Sequence, residues 1–296
     1  MSTLKIENAK KMADLTALQA VADSDMLFIH DGNGLKKVSA GTLKKDLADL
    51  IAANKVILDK VTASGAGAHN SVYRGKNLGT AVTTEQWAAI NAGTFDDMYI
   101  GDYWVIGGVT YRIAAFDYYL RAGDTDMTTH HVTLVPDSQM YTHAMNDTNV
   151  TTGGYVGSKM YTEGLDQAKE TINAAFGSAH VLNHRQYLCN AVTNGKPSGG
   201  SWYDSTVELM TEQNVYGGKV FGVGNGGSAV PSLYTVDKSQ YPLFAFRPDM
   251  ISNRNWFWLR DVVSAAYFAY VNSTGNATSN SASNASGVRP AFSIKS

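Results

Sequence analysis

Asn255-Trp256-Phe257-Trp258-Leu259-Arg260-Asp261, Ala265-Ala266-Tyr267-Phe268-Ala269 and Gly287-Val288-Arg289-Pro290-Ala291-Phe292 are three apolar, aromatic-rich runs close together in the chain. Such runs, bounded by Gly, Ser and Asn, are strand signals, so strands are expected at 256–259, 267–271 and 288–294. Alternation along the middle strand sends Tyr267, Ala269 and Val271 to one face and Phe268 and Tyr270 to the other, and Tyr270 is assigned to the exposed edge. Between the second and third strands, residues 272–287 read NSTGNATSNSASNASG, with Asn272, Asn276, Asn280 and Asn284 at intervals of four. The interval does not make a helix, because nothing apolar would anchor one and Asn, Ser and Gly disfavour it. An apolar strand follows at once, so the segment joins elements within a domain rather than tethering two. A surface loop over 272–286, held by two strands, is expected.

Further upstream, 195–234 is rich in Gly, Ser and Asn with scattered aromatics and is expected as long packed loops. A short helix is expected near 185–192. Residues 158–176 place Met160, Leu165, Ala168, Ile172 and Phe176 at helical spacing, with Gly177 as the stop. The runs 103–105, 110–116 and 131–135 are strand-like, and Gly107-Gly108 is a two-residue hairpin loop. Thr83-Thr84-Glu85-Gln86 has the form of a capping box before a short helix.

The flexible composition of 62–68, TASGAGA, marks a linker. Ahead of it, 1–61 forms a small module: apolar 26–29 and 35–38 flank Asp31-Gly32-Asn33-Gly34, a hairpin signal. A helix capped by Ser39 or Thr42 follows, with Leu43, Leu47, Leu50 and Ile51 on one face and Ile57, Leu58 and Val61 extending the pattern. That stripe is a thin core for one chain, so it is expected to be buried against other copies or a partner, or else on the main domain, 69–296.

The 296 residues suit one or two domains. Only 17% are charged, against a usual value of about 25%, so much of the surface must be Asn, Ser, Thr and Gly. With a net charge of −2 and no Lys/Arg run, nucleic acid is not an expected partner. Single Cys189 allows no internal disulfide. Neither a signal peptide nor a membrane-inserting span is expected, since no window approaches about 18 apolar residues.

Catalytic and metal sets are weak. His130 and His131 are neighbours on a strand and point to opposite faces. His180 and His184 could share a helix face, yet the Glu of a zincin motif is missing between them. Arg247-Pro248-Asp249 imitates a calcium-lectin motif without its pattern, while Asp96, Asp97, Asp102 or Asp124 could hold a structural ion. The glycines of 222–227 lack the strand and helix of a dinucleotide fingerprint. No catalytic residue, metal site or cofactor is therefore assigned, and the chain is not expected to be an enzyme.

The three C-terminal runs resemble the closing segment of C-type-lectin-like and formylglycine-generating-enzyme-like domains. With the Asn-rich segment between them, they are similar to the variable proteins of diversity-generating retroelements, phage tropism determinants and gut-phage tail receptor-binding proteins among them. In those systems template adenines are mutated during copying; an Asn codon begins with two adenines, and randomising both yields most amino acids and no stop codon. The Asp23-Ser24-Asp25-Met26-Leu27-Phe28-Ile29 run likewise resembles a tail-attachment segment.

The resemblance implies an α+β chain: a C-type-lectin-like domain over 69–296 after the N-terminal attachment or oligomerisation module. It implies a bacteriophage tail or fibre-tip receptor-binding protein, made in the bacterial cytoplasm and carried on the virion, with a hypervariable loop for ligand. Its ligand-binding face would comprise Asn253, Asn255, Tyr270, Asn272, Ser273, Thr274, Asn276, Thr278, Ser279, Asn280, Asn284 and Ser286. Expected partners are a host cell-surface protein or glycan, other tail proteins and further copies in a homotrimer. Small Asn and Ser side chains bind weakly per site, so several copies would supply avidity. Formylglycine-generating chemistry needs redox-active cysteines, and one cysteine cannot provide it. The alternative is a bacterial surface or structural display module of the same fold, outside any virion.

Overall fold

The computed structural model describes residues 22–30, 34–62, 64–222, 239–252 and 254–296. The chain divides into two compact units, Met1–Ala63 and Ser64–Ser296.

In the first unit, β1 (Met26–His30) and β2 (Leu35–Ser39) pair antiparallel, with Met26 opposite Ser39 and His30 opposite Leu35. Residues 31–33 of the expected hairpin turn lie outside the described residues. The helix α1 (Ala40–Thr62) follows, and Ser39 Oγ accepts the Thr42 N–H at 3.1 Å, the capping bond its first turn requires. Leu43 and Leu47 are half-buried, whereas Leu50 and Ile51 are 55% and 52% exposed.

The second unit is α+β. The stretch expected as a linker is ordered in part: Gly65 N–H donates to Thr94 O at 3.1 Å, and α2 (Ala66–His69) forms one helical turn. Next come β3 (Asn77–Gly79) and α3 (Thr84–Ala92), which opens with the capping box in which Thr83 and Gln86 bond reciprocally. β4 (Tyr103–Ile106) and β5 (Val109–Phe116) are joined by Gly107 and Gly108, whose φ of 59° and 81° make the left-handed two-residue turn that glycine allows. β6 (Val132–Pro136) and β7 (Tyr141–Ala144) precede a π-helical turn, Met160–Gly164, and α4 (Asp166–Phe176). Ala168, Ile172 and Phe176 bury one face of α4, which ends at Gly177.

Two expectations are corrected here. Residues 185–192 are not helical but lie in β8 (His184–Thr193), and 196–205, expected as loop, is its partner β9 (Lys196–Ser205). The turn between them, Asn194-Gly195 with φ of 52° and 72°, is a strong hairpin signal, and pairing across it outweighs the poor strand propensity of β9. His180 and His184 accordingly share no helix face: His180 ends a short 3₁₀ turn and His184 starts β8. β10 (Val207–Leu209) and α5 (Glu212–Tyr216) follow, and residues 223–238 lie outside the described residues.

After α6 (Pro242–Phe246), the C-terminal strands are β11 (Phe257–Val262), β12 (Tyr267–Val271), β13 (Ala277–Ser281), β14 (Ala285–Val288) and β15 (Pro290–Ile294). A six-stranded sheet runs β10-β15-β6-β5-β4-β3, and a five-stranded sheet runs β13-β12-β11-β14-β7. Both faces of the second sheet are covered. Phe257, Leu259, Ala269 and Val271 join the larger core, while Trp258, Val262, Phe268 and Val288 join a smaller one with Tyr155, Leu165 and Leu188.

The GVRPAF run crosses from one sheet to the other, β14 lying in the five-stranded sheet and β15 in the six-stranded one. Pro290 opens β15, a strand position that tolerates proline. Arg289, 1% exposed at the crossing, donates to Pro136 O at 2.8 Å and Met250 O at 3.1 Å and lies over the rings of Phe244 and Phe257. Burial pushes its pKa down to about 10. Among the described residues, no helix is long and apolar enough to cross a membrane.

Candidate binding face

Residues 272–286 are not an irregular loop. They form a turn, the edge strand β13, a second turn and the start of β14. The reversal at 272–276 is local chemistry: Asn272 Oδ1 accepts from Thr274 N at 2.9 Å, Thr274 Oγ1 at 2.8 Å and Asn276 N at 2.9 Å. Gly275 takes φ 86°, and a Cβ there would meet Ser252 Cβ at 2.9 Å, so glycine is required by conformation and by space. Two further bonds tie the turn to its surroundings, Tyr216 Oη to Gly275 O at 2.9 Å and Ser252 Oγ to Ser273 O at 3.0 Å. With the chain reversed, β13 pairs β12 antiparallel from Val271↔Ala277 to Tyr267↔Ser281.

That pairing splits the expected face. Residues directly opposite share a side of the sheet, so Thr278 and Asn280 lie with Tyr270 and Phe268, and Ser279 lies with Ala269 on the other side. Asn280 Oδ1 accepts the Ser281 N–H and the Asn284 amide at 2.9 and 2.8 Å, and the Asn276 amide donates to Thr274 Oγ1 at 3.1 Å. The asparagines therefore bond mainly to one another and to their own backbone. Ala282 is fully buried in the smaller core.

Tyr270 is not at the exposed edge: it is half-buried, tilted against Trp258 at 5.9 Å, because Phe268 and Tyr270 face the smaller core. Tyr267, 43% exposed, is the outward tyrosine of β12. Ser286, expected on the display face, is 3% exposed on β14. Asn253 lies outside the described residues.

The opposite flank of the same sheet is open. Gln139, Thr142, Arg254, Asn255, Trp256, Ala285, Ser286 and Gly287 line a groove of about 210 Å³. It forms because β7 pairs antiparallel with β14, Thr142 opposite Gly287, while Gly287 N–H donates to Trp256 O at 2.9 Å. Gly287 has no room for a side chain: a Cβ would collide with Gln139 Oε1 and Trp256 O. Trp256 is 53% exposed. Arg254 is exposed, forms no hydrogen bond or ion pair with a described residue, and holds φ 63°, a left-handed backbone that costs about 1 kcal/mol in a non-glycine residue. Two buried lining atoms, Gln139 Oε1 and Ser286 Oγ, have no hydrogen-bond partner among the described residues.

Of the sequence-assigned residues, only Asn255 and Ser286 line this groove. Arg254 and Trp256, which flank Asn255, were missed although Arg and Trp are the residue types that dominate binding energies. Gln139 and Thr142 carried no local signal, since the β7–β14 pairing alone brings them in.

Three of the four carboxylates singled out as ion ligands are engaged by cations. Arg74 bonds Asp102 and Asp97 at 2.6 Å, Lys76 bonds Asp97 at 2.7 Å, and Arg185 bonds Asp124 at 2.9 Å; Asp96 accepts the Thr94 hydroxyl at 2.8 Å. His131 is fully buried, and His130 pairs with Asp117 at 2.7 Å on the outer side. His184 is 4% exposed, packs on Tyr119 at 3.8 Å between ring centroids and bonds the Gln186 amide at 2.7 Å. Burial, with His131 nearby, drives its pKa down to about 3, so it is neutral in the fold. None of these groups lines the groove.

A family model described as a domain of unknown function, DUF6273, matches residues 223–296. The matched stretch contains β11 to β15, and so the β13 edge and residues 254–256 and 285–287 of the groove, but not Gln139, β7 or the earlier strands. No curated protein and no solved structure matches the chain.

Proposed function

We propose that this chain is a receptor-binding protein of a bacteriophage tail or fibre tip, built on a C-type-lectin-like domain that displays a ligand-binding face at its C-terminal sheet. The observation that carries the reading is the division of the C-terminal stretch. Every residue of β11 and β15 is buried, whereas the residues of β13 are half-exposed and mostly Ser, Thr and Asn, and the other flank of the sheet is an open groove with an exposed Trp and an Arg that has no partner among the described residues. A rigid frame carrying a polar surface is the construction of a recognition scaffold.

The first unit supplies multivalency in this reading. Residues 43, 47, 50, 54, 57 and 61 follow steps of four and three along α1 and are Leu, Leu, Leu, Asn, Ile and Val. That is the seam of a coiled coil, and a single Asn within it is the device that fixes register and copy number. Copies joined there as a homotrimer would gain avidity from individually weak sites.

Binding of the labelled full-length protein to a panel of bacterial strains tests the proposal. Saturable binding to a subset of strains is expected, weakened more than about tenfold by combined Arg254→Ala and Trp256→Ala with unchanged melting temperature. Binding to no strain, or a double variant that binds like the parent, would overturn it.

A further inference from the structure

We propose that the groove between β7, β14 and residues 254–256 is a subsite for one carboxylated sugar ring, of the uronic or sialic type, on the receptor. The inference rests on the receptor-binding reading and adds the class of ligand.

Charge decides the first half. Among the described residues of the lining, Arg254 is the single charged one, with no Asp or Glu beside it. Its guanidinium has no partner among the described residues, in contrast to Arg74, Arg112, Arg185 and Arg247, each paired with a carboxylate. A guanidinium fork is the best geometric match for a planar carboxylate, which it binds by two parallel hydrogen bonds. A neutral ligand would leave that fork unmet.

The remaining lining decides the second half. Exposed Trp256 offers an electron-rich face suited to the polarised C–H bonds on one side of a pyranose. Around it stand the exposed Thr142 hydroxyl and the Asn255 amide, together with Gln139 Oε1 and Ser286 Oγ, two buried atoms with no partner among the described residues. Gln139 Oε1 is an acceptor lacking a donor, and a ligand hydroxyl would supply one. An aliphatic acid would satisfy Arg254 and leave Gln139 Oε1 and Ser286 Oγ unmet; a hydroxylated ring with a carboxylate satisfies both. Size agrees: about 210 Å³ is below the roughly 300 Å³ at which sites for drug-sized ligands begin, room for one ring rather than a chain.

The test is a titration of the full-length protein with methyl glucuronide, the methyl glycoside of N-acetylneuraminic acid and, as the neutral probe, methyl glucoside, read by saturation-transfer NMR and tryptophan fluorescence. At least one carboxylated glycoside should bind saturably, with the glucoside about tenfold weaker or more. Arg254→Gln should abolish the preference for the acid, and Trp256→Ala should abolish binding, both at unchanged melting temperature. Equal binding of glucoside and acids, binding of neither acid, or a preference that survives Arg254→Gln overturns the proposal. If neither acid binds while Trp256→Ala still weakens binding to bacterial strains, the sugar assignment falls and the receptor-binding reading stands. Should an acid bind while no strain does, the reverse holds.

Discussion

The two edges of the five-stranded sheet are made from neighbouring residues and solve opposite problems. At one edge, β13 and the turn before it are Asn- and Ser-rich, and their polar atoms are largely consumed locally: Asn272 closes a turn and Asn280 clasps Asn284. At the other, the groove beside β7 leaves Arg254, Gln139 Oε1 and Ser286 Oγ without partners among the described residues and keeps Trp256 exposed. Asparagine content therefore marks where the backbone is shaped, and unmet hydrogen-bonding capacity marks where a ligand would gain most.

Several measurements can break or sharpen this contrast. Acid should have the largest effect, through the scaffold that both edges share, because neither the groove lining nor 272–286 contains a His or carboxylate. His184 is held neutral with a pKa of about 3 against 6.5 when unfolded, so the unfolded chain binds the extra proton between those values. Stability should be full above about pH 6.5 and fall by about 3 kcal/mol on reaching pH 4, with a shallower slope in His184→Gln; melting temperature against pH measures this. Next, combined Arg254→Ala and Trp256→Ala should weaken receptor binding by about 3 kcal/mol, roughly a hundredfold, without altering stability. If alanines at Asn276, Thr278 and Asn280 produce that loss instead, the contrast is inverted.

Ala282→Asn should destabilise by about 2 kcal/mol in chemical denaturation, because it forces an unpaired amide into the smaller core. A neutral result would show that the whole segment tolerates variation. Asn272→Ala removes three accepted hydrogen bonds and should cost about 1 kcal/mol while leaving binding intact. Smallest of all, Thr278→Ala and Ser279→Ala should stay within about 0.5 kcal/mol of the parent.

Legibility followed the range of the interactions. The capping box at Thr83, the turn at Gly107-Gly108, the buried stripe of α4 and strand β12 are encoded within a few residues each, and all four appear where the sequence puts them. The β8–β9 hairpin was announced by Asn194-Gly195 and obscured by the Gly- and Ser-rich β9, whose strand depends on its neighbour. For the site, Asn255 was legible as part of a polar C-terminal surface, whereas Ser286 was assigned to that surface but is buried, and Tyr270 was misassigned because alternation says which residues share a face, not which face is covered.

By itself, the sequence determined the local devices: caps, glycine turns, alternating strands, a heptad-spaced helix and a polar segment between apolar frames. These depend on backbone conformation and on bonds between near neighbours. Only the tertiary structure decided that Arg289 is a core residue and that Gln139 and Thr142 meet Arg254 and Trp256 in one groove. Those outcomes depend on which strand pairs with which, and strand pairing across more than a hundred residues leaves no mark on the short segments it joins.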